Sequence, residues 1–117
     1  MSKKLETKFG EKIDEQLADV GAKVLNIHGH MYQKSGWPDR YISHWKWDGW
    51  LELKTMNYKL DPLQARIMEA LNDRGTNAFT LRHYGKVYLE RYDGLKLWEC
   101  EFGNGMIVEI LAYLESI

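Results

Sequence analysis

The chain has 117 residues, enough for one domain around one core and too few for two, and its 44% hydrophobic and 28% charged residues read as globular rather than disordered. A net charge of −1 gives no global basic signature for nucleic acid, and the single Cys100 excludes an intrachain disulfide and a cysteine-based zinc cage. No apolar run approaches the ~18 residues of a membrane span, and Met1-Ser2-Lys3-Lys4 leads into no apolar segment, so the expectation is a cytoplasmic protein with no membrane partner.

Leu5, Phe9, Ile13, Leu17 and Val20 recur at spacings of three and four, which predicts an amphipathic helix over residues 3–19 stopped by Gly21. Gly10 inside it costs ~1 kcal/mol relative to alanine. Residues 23–27 read as a short strand, and residues 28–36 as a loop broken by Gly29, Ser35 and Gly36. Residues 39–43 and 50–55 read as two antiparallel strands. Asp61-Pro62 is a helix start, with Asp as N-cap and Pro at the first helical position. Leu63, Ile67, Ala70 and Leu71 line that helix's inner face, and Gly75 ends it. A strand over residues 78–83 follows. Residues 86–92 and 95–102 then flank Asp93-Gly94, a favoured two-residue hairpin turn. Residues 106–117 form a terminal helix whose apolar positions cover most of its circumference, which leaves room for a second buried face, in the core or in a dimer. The order is that of one mixed α/β domain over residues 1–117.

The chemistry concentrates in the middle. Glu52 and Lys54 stand two apart in the run Trp50-Leu51-Glu52-Leu53-Lys54-Thr55, so in a strand they share one face while Leu51 and Leu53 take the other. Asp39 follows Pro38 thirteen residues before Glu52. Two acids and a lysine converging on one spot can hold a divalent cation and activate a water. Convergence depends on register. A tight turn at Asp48-Gly49 would set Trp45 opposite Glu52 and leave Asp39 ~20 Å away, at ~3.4 Å per residue. For Asp39 to lie opposite Glu52 the midpoint must fall near Trp45-Lys46. A wide loop over His44 to Asp48, with Gly49 starting the second strand, meets that requirement and exposes Trp45 and Trp47.

At these residues the chain resembles the PD-(D/E)XK nuclease superfamily, in particular its small phage and bacterial VRR-NUC branch, with Holliday-junction resolvases nearby. The likeness runs over roughly residues 6–83: Gly36-Trp37-Pro38-Asp39, then Trp50 to Thr55, then Leu60-Asp61-Pro62-Leu63-Gln64, then a helix ending at Gly75 before a strand. The resemblance implies a restriction-endonuclease-like core, a mixed sheet flanked by helices in the order αβββαβ, to which this chain adds a hairpin and a terminal helix. It implies that Asp39, Glu52 and the Leu53 carbonyl ligate Mg²⁺ or Mn²⁺, that Lys54 orients or deprotonates the attacking water, and that Gln64 contacts the site. It also places an acid on the first helix; Glu6 fits best, with Glu11 and Glu15 as rivals. The implied activity is hydrolysis of DNA phosphodiesters, structure-selective on branched DNA, by a homodimer in a bacterial or phage-infected cell. A nuclease of linear or single-stranded DNA, or a non-catalytic DNA-binding module on the same fold, are the alternatives.

Each residue also has a plainer reading. Asp39 alone could be a turn acid, and Glu52 with Lys54 a solvated strand face. His28 and His30 sit two apart in a glycine loop without a third ligand to complete a zinc set, so they read as loop histidines within reach of phosphate. Lys34, Arg40, Lys46, Lys59 and Arg66 could contact backbone phosphates or be ordinary surface charges. Residues 1–66 hold 11 Lys/Arg against 9 Asp/Glu, so the half with the candidate site is the more basic one. Cys100 reads as a buried, inert thiol.

Overall fold

The four-residue recurrence of Phe9, Ile13 and Leu17 forms the buried stripe of α1 (Ser2–Asp19) in the computed structural model, which describes residues 2–27 and 36–117. Gly21 closes the helix at φ 82°, donating to the Ala18 carbonyl while Ala22 donates to that of Leu17. That pair of bonds is a Schellman stop and needs the left-handed backbone that glycine adopts without strain. The chain continues through β1 (Lys23–Asn26), β2 (Arg40–Ser43), β3 (Asp48–Thr55), α2 (Pro62–Asp73), β4 (Ala78–Tyr84), β5 (Lys86–Glu90), β6 (Lys96–Cys100) and α3 (Met106–Ser116).

The strands form one mixed sheet in sequence order, β1 to β6. Among the described residues only β3 and β4 run parallel, with α2 as their crossover; the other pairs are antiparallel. On one face, Phe9, Ile13 and Leu17 of α1 and Ile107, Ile110 and Leu114 of α3 pack over Ile42, Leu51, Leu53, Leu81 and Leu89. Alternation puts Trp50, Glu52 and Lys54 on the opposite face, where α2 lies with Met68 buried. Gln16 ties the two helices of the first face together. Its amide accepts from the Ile107 N–H at 3.0 Å and donates to the Gly103 carbonyl at 2.8 Å, supplying an acceptor that the Gly105 N-cap lacks.

Three expectations are corrected. The β2–β3 midpoint does fall at Trp45-Lys46, since Tyr41 pairs with Trp50 and Ser43 with Asp48. The connection, however, is a tight turn: His44 and Trp47 exchange both backbone hydrogen bonds, at 3.1 and 3.2 Å. The strand therefore extends past Gly49, and Trp47 falls on the Leu51 face. Trp45 is 86% exposed as expected, but Trp47 is only 7% exposed. Its indole lies across Gly49, where any Cβ would come within 2.4 Å of it. The β5–β6 turn likewise spans three residues, Tyr92 to Gly94, with Gly94 at φ 88° and Arg91 donating to the Leu95 carbonyl. This is a type I turn followed by a left-handed glycine, not a two-residue turn. Within the single chain, α3 buries one face (Met106, Ile107, Ile110, Leu111, Leu114) and leaves Val108 exposed. Among the described residues, no helix is long and apolar enough to cross a membrane.

Candidate functional site

Antiparallel register carries Asp39 to the end of β2, one step beyond the Arg40–Leu51 pair and opposite Glu52. Both carboxylates are buried, Asp39 at 6% and Glu52 at 5% exposure. They are linked through the backbone. The Asp39 N–H donates to Glu52 Oε1 at 3.2 Å, and the Leu53 N–H donates to Asp39 Oδ2 at 3.3 Å. Trp50 and Met56 direct their N–H groups toward β4. The intervening odd-numbered residues therefore face β2, and the Leu53 carbonyl shares the edge of its own N–H, beside Asp39.

Lys54, on the Glu52 face, brings Nζ to 3.7 Å from Glu52 Oε2. Gln64 reaches the same oxygen from α2, with Nε2 at 3.1 Å. Its geometry follows from the helix start. Gln64 Oε1 accepts from the Asp61 N–H at 3.0 Å and Asp61 Oδ1 accepts from the Gln64 N–H at 2.9 Å, a capping box that turns the Gln64 amide nitrogen toward Glu52. Burial, and then the negative charge of Asp39, push the Glu52 carboxyl up to about 8, against the pull of Lys54.

Glu6 is the first-helix glutamate whose charge acts on Glu52. Glu6 and Glu11 both line a cavity of about 810 Å³ that Asp39, Arg40 and Leu53 also border. Among the described residues no three acidic, His or Cys side chains converge closely enough to cage an ion by themselves. Asp39 and Glu52 could supply two side-chain oxygen ligands to a cation, with the Leu53 carbonyl beside them and water to complete the shell. Two buried carboxylates this close repel, and an oxygen-liganded cation such as Mg²⁺ or Mn²⁺ relieves that repulsion, so the donor set fits the group.

Arg40 differs from its sequence reading as a phosphate contact. It is 8% exposed and turned inward. Its Nε and Nη2 meet Asp14 Oδ1 and Oδ2 at 2.8 and 3.0 Å, while Nη1 meets Asp39 Oδ1 at 3.0 Å. The guanidinium is thereby a positioning group for Asp39. A Cβ at residue 10 would lie 2.8 Å from Arg40 Nη2, so Gly10, a cost to the helix by propensity, is what lets the arginine pass. Sequence reasoning missed Asp14; its only signal is that it stands four residues after Gly10, on the same helical stripe.

Lys59 and Arg66 are exposed, as phosphate contacts must be. His28, His30 and Lys34 lie outside the described residues. Cys100 is buried, and burial pushes its thiol up to about 11, which leaves it unreactive. No family model matches the chain, and no curated protein matches its sequence.

Proposed function

We propose that the chain is a Mg²⁺- or Mn²⁺-dependent deoxyribonuclease of the PD-(D/E)XK kind, built on a restriction-endonuclease-like core and acting on branched DNA as a cytoplasmic homodimer. One observation carries the reading. The β2–β3 register brings Asp39 against Glu52, with Lys54 within 3.7 Å of the same carboxylate. Nothing in the packing of the sheet requires two buried acids there.

The chain's residues divide the work. Asp39, Glu52 and the Leu53 carbonyl present oxygen atoms on one side of β3, and Glu6 adds negative charge from α1. A bound divalent cation supplies Lewis acidity and lowers the pKa of its water, which makes a nucleophile available near neutral pH. Lys54 would hold the attacking water or a phosphate oxygen through its ammonium and balance charge that develops on the phosphoryl oxygens. Gln64 fixes Glu52 from α2, and Arg40 fixes Asp39 from the opposite face. The homodimer follows from the symmetry of a four-way junction, whose paired strands need two copies of one site.

The test is cleavage of a labelled panel (four-way junction, flap, linear duplex, single strand) with Mg²⁺, Mn²⁺ or EDTA, using wild type and Lys54→Ala. Metal-dependent cutting that the variant loses while it still binds DNA is the expected result. Binding without cutting of any substrate by the wild type overturns the enzyme and leaves a DNA-binding module. Preference for linear duplex overturns the branched substrate alone.

A further inference from the structure

A second cavity, of about 450 Å³, opens on the same face of the sheet as Lys54, on the far side of β3 from Asp39. Met56, Asn57, Lys59 and Leu60 of the β3–α2 connection form one wall, and Thr80, Arg82 and Tyr84 of β4 form the floor. The β5–β6 turn closes it, with Tyr92 leaning on Glu69 of α2. Cross-strand register sets Thr80 beside Glu52 and Arg82 beside Lys54, so the cavity adjoins the proposed site.

Three features distinguish it from an ordinary surface depression. Thr80, 1% exposed, carries the buried side-chain hydroxyl that finds no partner among the described residues; such groups are rare because they are costly. Met56 holds a left-handed backbone at φ 54°, two residues after Lys54 and at the cavity wall. Arg82 secures that strained segment, donating to the carbonyls of Met56 and Tyr58 while its Nε meets both oxygens of Glu90. Strain held in place by surrounding structure gathers at functional sites. The mouth carries Tyr84, 55% exposed, and the ammonium of Lys59.

We propose that this cavity receives one nucleobase of the strand held at the cleavage site, stacked on Tyr84, with the adjoining phosphate toward Lys59. The inference rests on the nuclease reading. It gives a physical basis for selecting branched DNA, because a nucleotide at a branch point leaves the stack at less cost than one inside a duplex.

The experiment uses a four-way junction in which each nucleotide near the cut is replaced in turn by an abasic residue, cleaved by wild type and Tyr84→Ala. One abasic position is expected to slow the wild type by roughly tenfold, the size of one base–aromatic stack. Tyr84→Ala should slow cleavage of the intact junction by a similar factor and add nothing at that position. A 2-aminopurine at the sensitive position should lose fluorescence on binding wild type and keep it with Tyr84→Ala. Equal wild-type rates at every abasic position, or losses that multiply, overturn the cavity while leaving the nuclease intact. Failure of wild type to cut any strand overturns both.

Discussion

Replacing Glu52 with glutamine should remove most of the loss of stability that the protein suffers as pH rises. Glu52 titrates at about 8 in the folded chain against an ordinary 4.5, because burial and Asp39 disfavour its charge. Between those values the folded state holds a proton that the unfolded chain has released. Its contribution to stability is therefore complete below the unfolded value and is lost as pH climbs through the folded one, at ~1.4 kcal/mol per pH unit. Integrated from 4.5 to about 8, the loss approaches ~5 kcal/mol, which is the lower end of a whole domain's stability. Glutamine carries no charge at any pH and removes the dependence. The assay is urea unfolding in EDTA at pH 5, 6, 7 and 8 for both proteins. The quantity read is the difference in unfolding free energy, since His83, lowered by burial, and Cys100 titrate in both and cancel. That difference should widen by roughly 1 kcal/mol or more per pH unit in favour of the variant, which should also be unable to cut DNA. A difference that stays flat from pH 5 to 8 refutes the argument that Glu52 is buried against a second negative charge.

Cation binding should share this linkage: at pH 7 the Glu52 carboxyl is mostly protonated, so titration with Mn²⁺ should release about one proton, read as a dependence of the calorimetric heat on buffer ionisation enthalpy. No dependence on buffer would refute it. Asp39→Asn and Lys54→Ala should each lower cleavage by on the order of 10²–10³, the first by removing a cation ligand and the second by removing the ammonium that meets charge developing at the phosphate; Lys54→Ala should leave the urea unfolding midpoint little changed. Gly10→Ala should destabilise by ~1–3 kcal/mol in urea unfolding although alanine is the better helix former, because the new methyl meets the Arg40 guanidinium at 2.8 Å. A Gly10→Ala protein as stable as wild type would mean that Arg40 can leave Asp14 without loss.

The elements that were legible in the sequence are those with one dominant local signal. The four-residue apolar stripe, the Asp61-Pro62 cap and the left-handed glycines at 21 and 75 fix helix positions without reference to the rest of the chain. The turns were read less well for the same reason. Asp93-Gly94 has the composition of a two-residue turn, but composition does not say which residue pairs with which, and Arg91 pairs with Leu95. At residues 44–47 no glycine, proline or asparagine announces a turn, so the sequence reads as a wide connection with Trp47 in solvent, whereas His44 and Trp47 close a tight one.

The site separates along the same line. Glu52 and Lys54 share a face by strand alternation and Gln64 is aimed by a capping box, both local rules that survive folding, whereas Asp39 joins them only through the β2–β3 register. Arg40 follows a different logic. On sequence it is one more cation in a basic half, and its fate is decided by Gly10 and Asp14, which lie 26 and more residues away. Only tertiary packing can reveal that a helix gave up ~1 kcal/mol of propensity at Gly10 to admit a guanidinium. The same packing explains why the acid pair is tolerated. Arg40 offsets Asp39 from one face, Lys54 and Gln64 meet Glu52 from the other, and Glu52 keeps its proton in the absence of a cation. With Glu52 protonated, one buried carboxylate charge remains in the pair, and the Arg40 guanidinium stands against it.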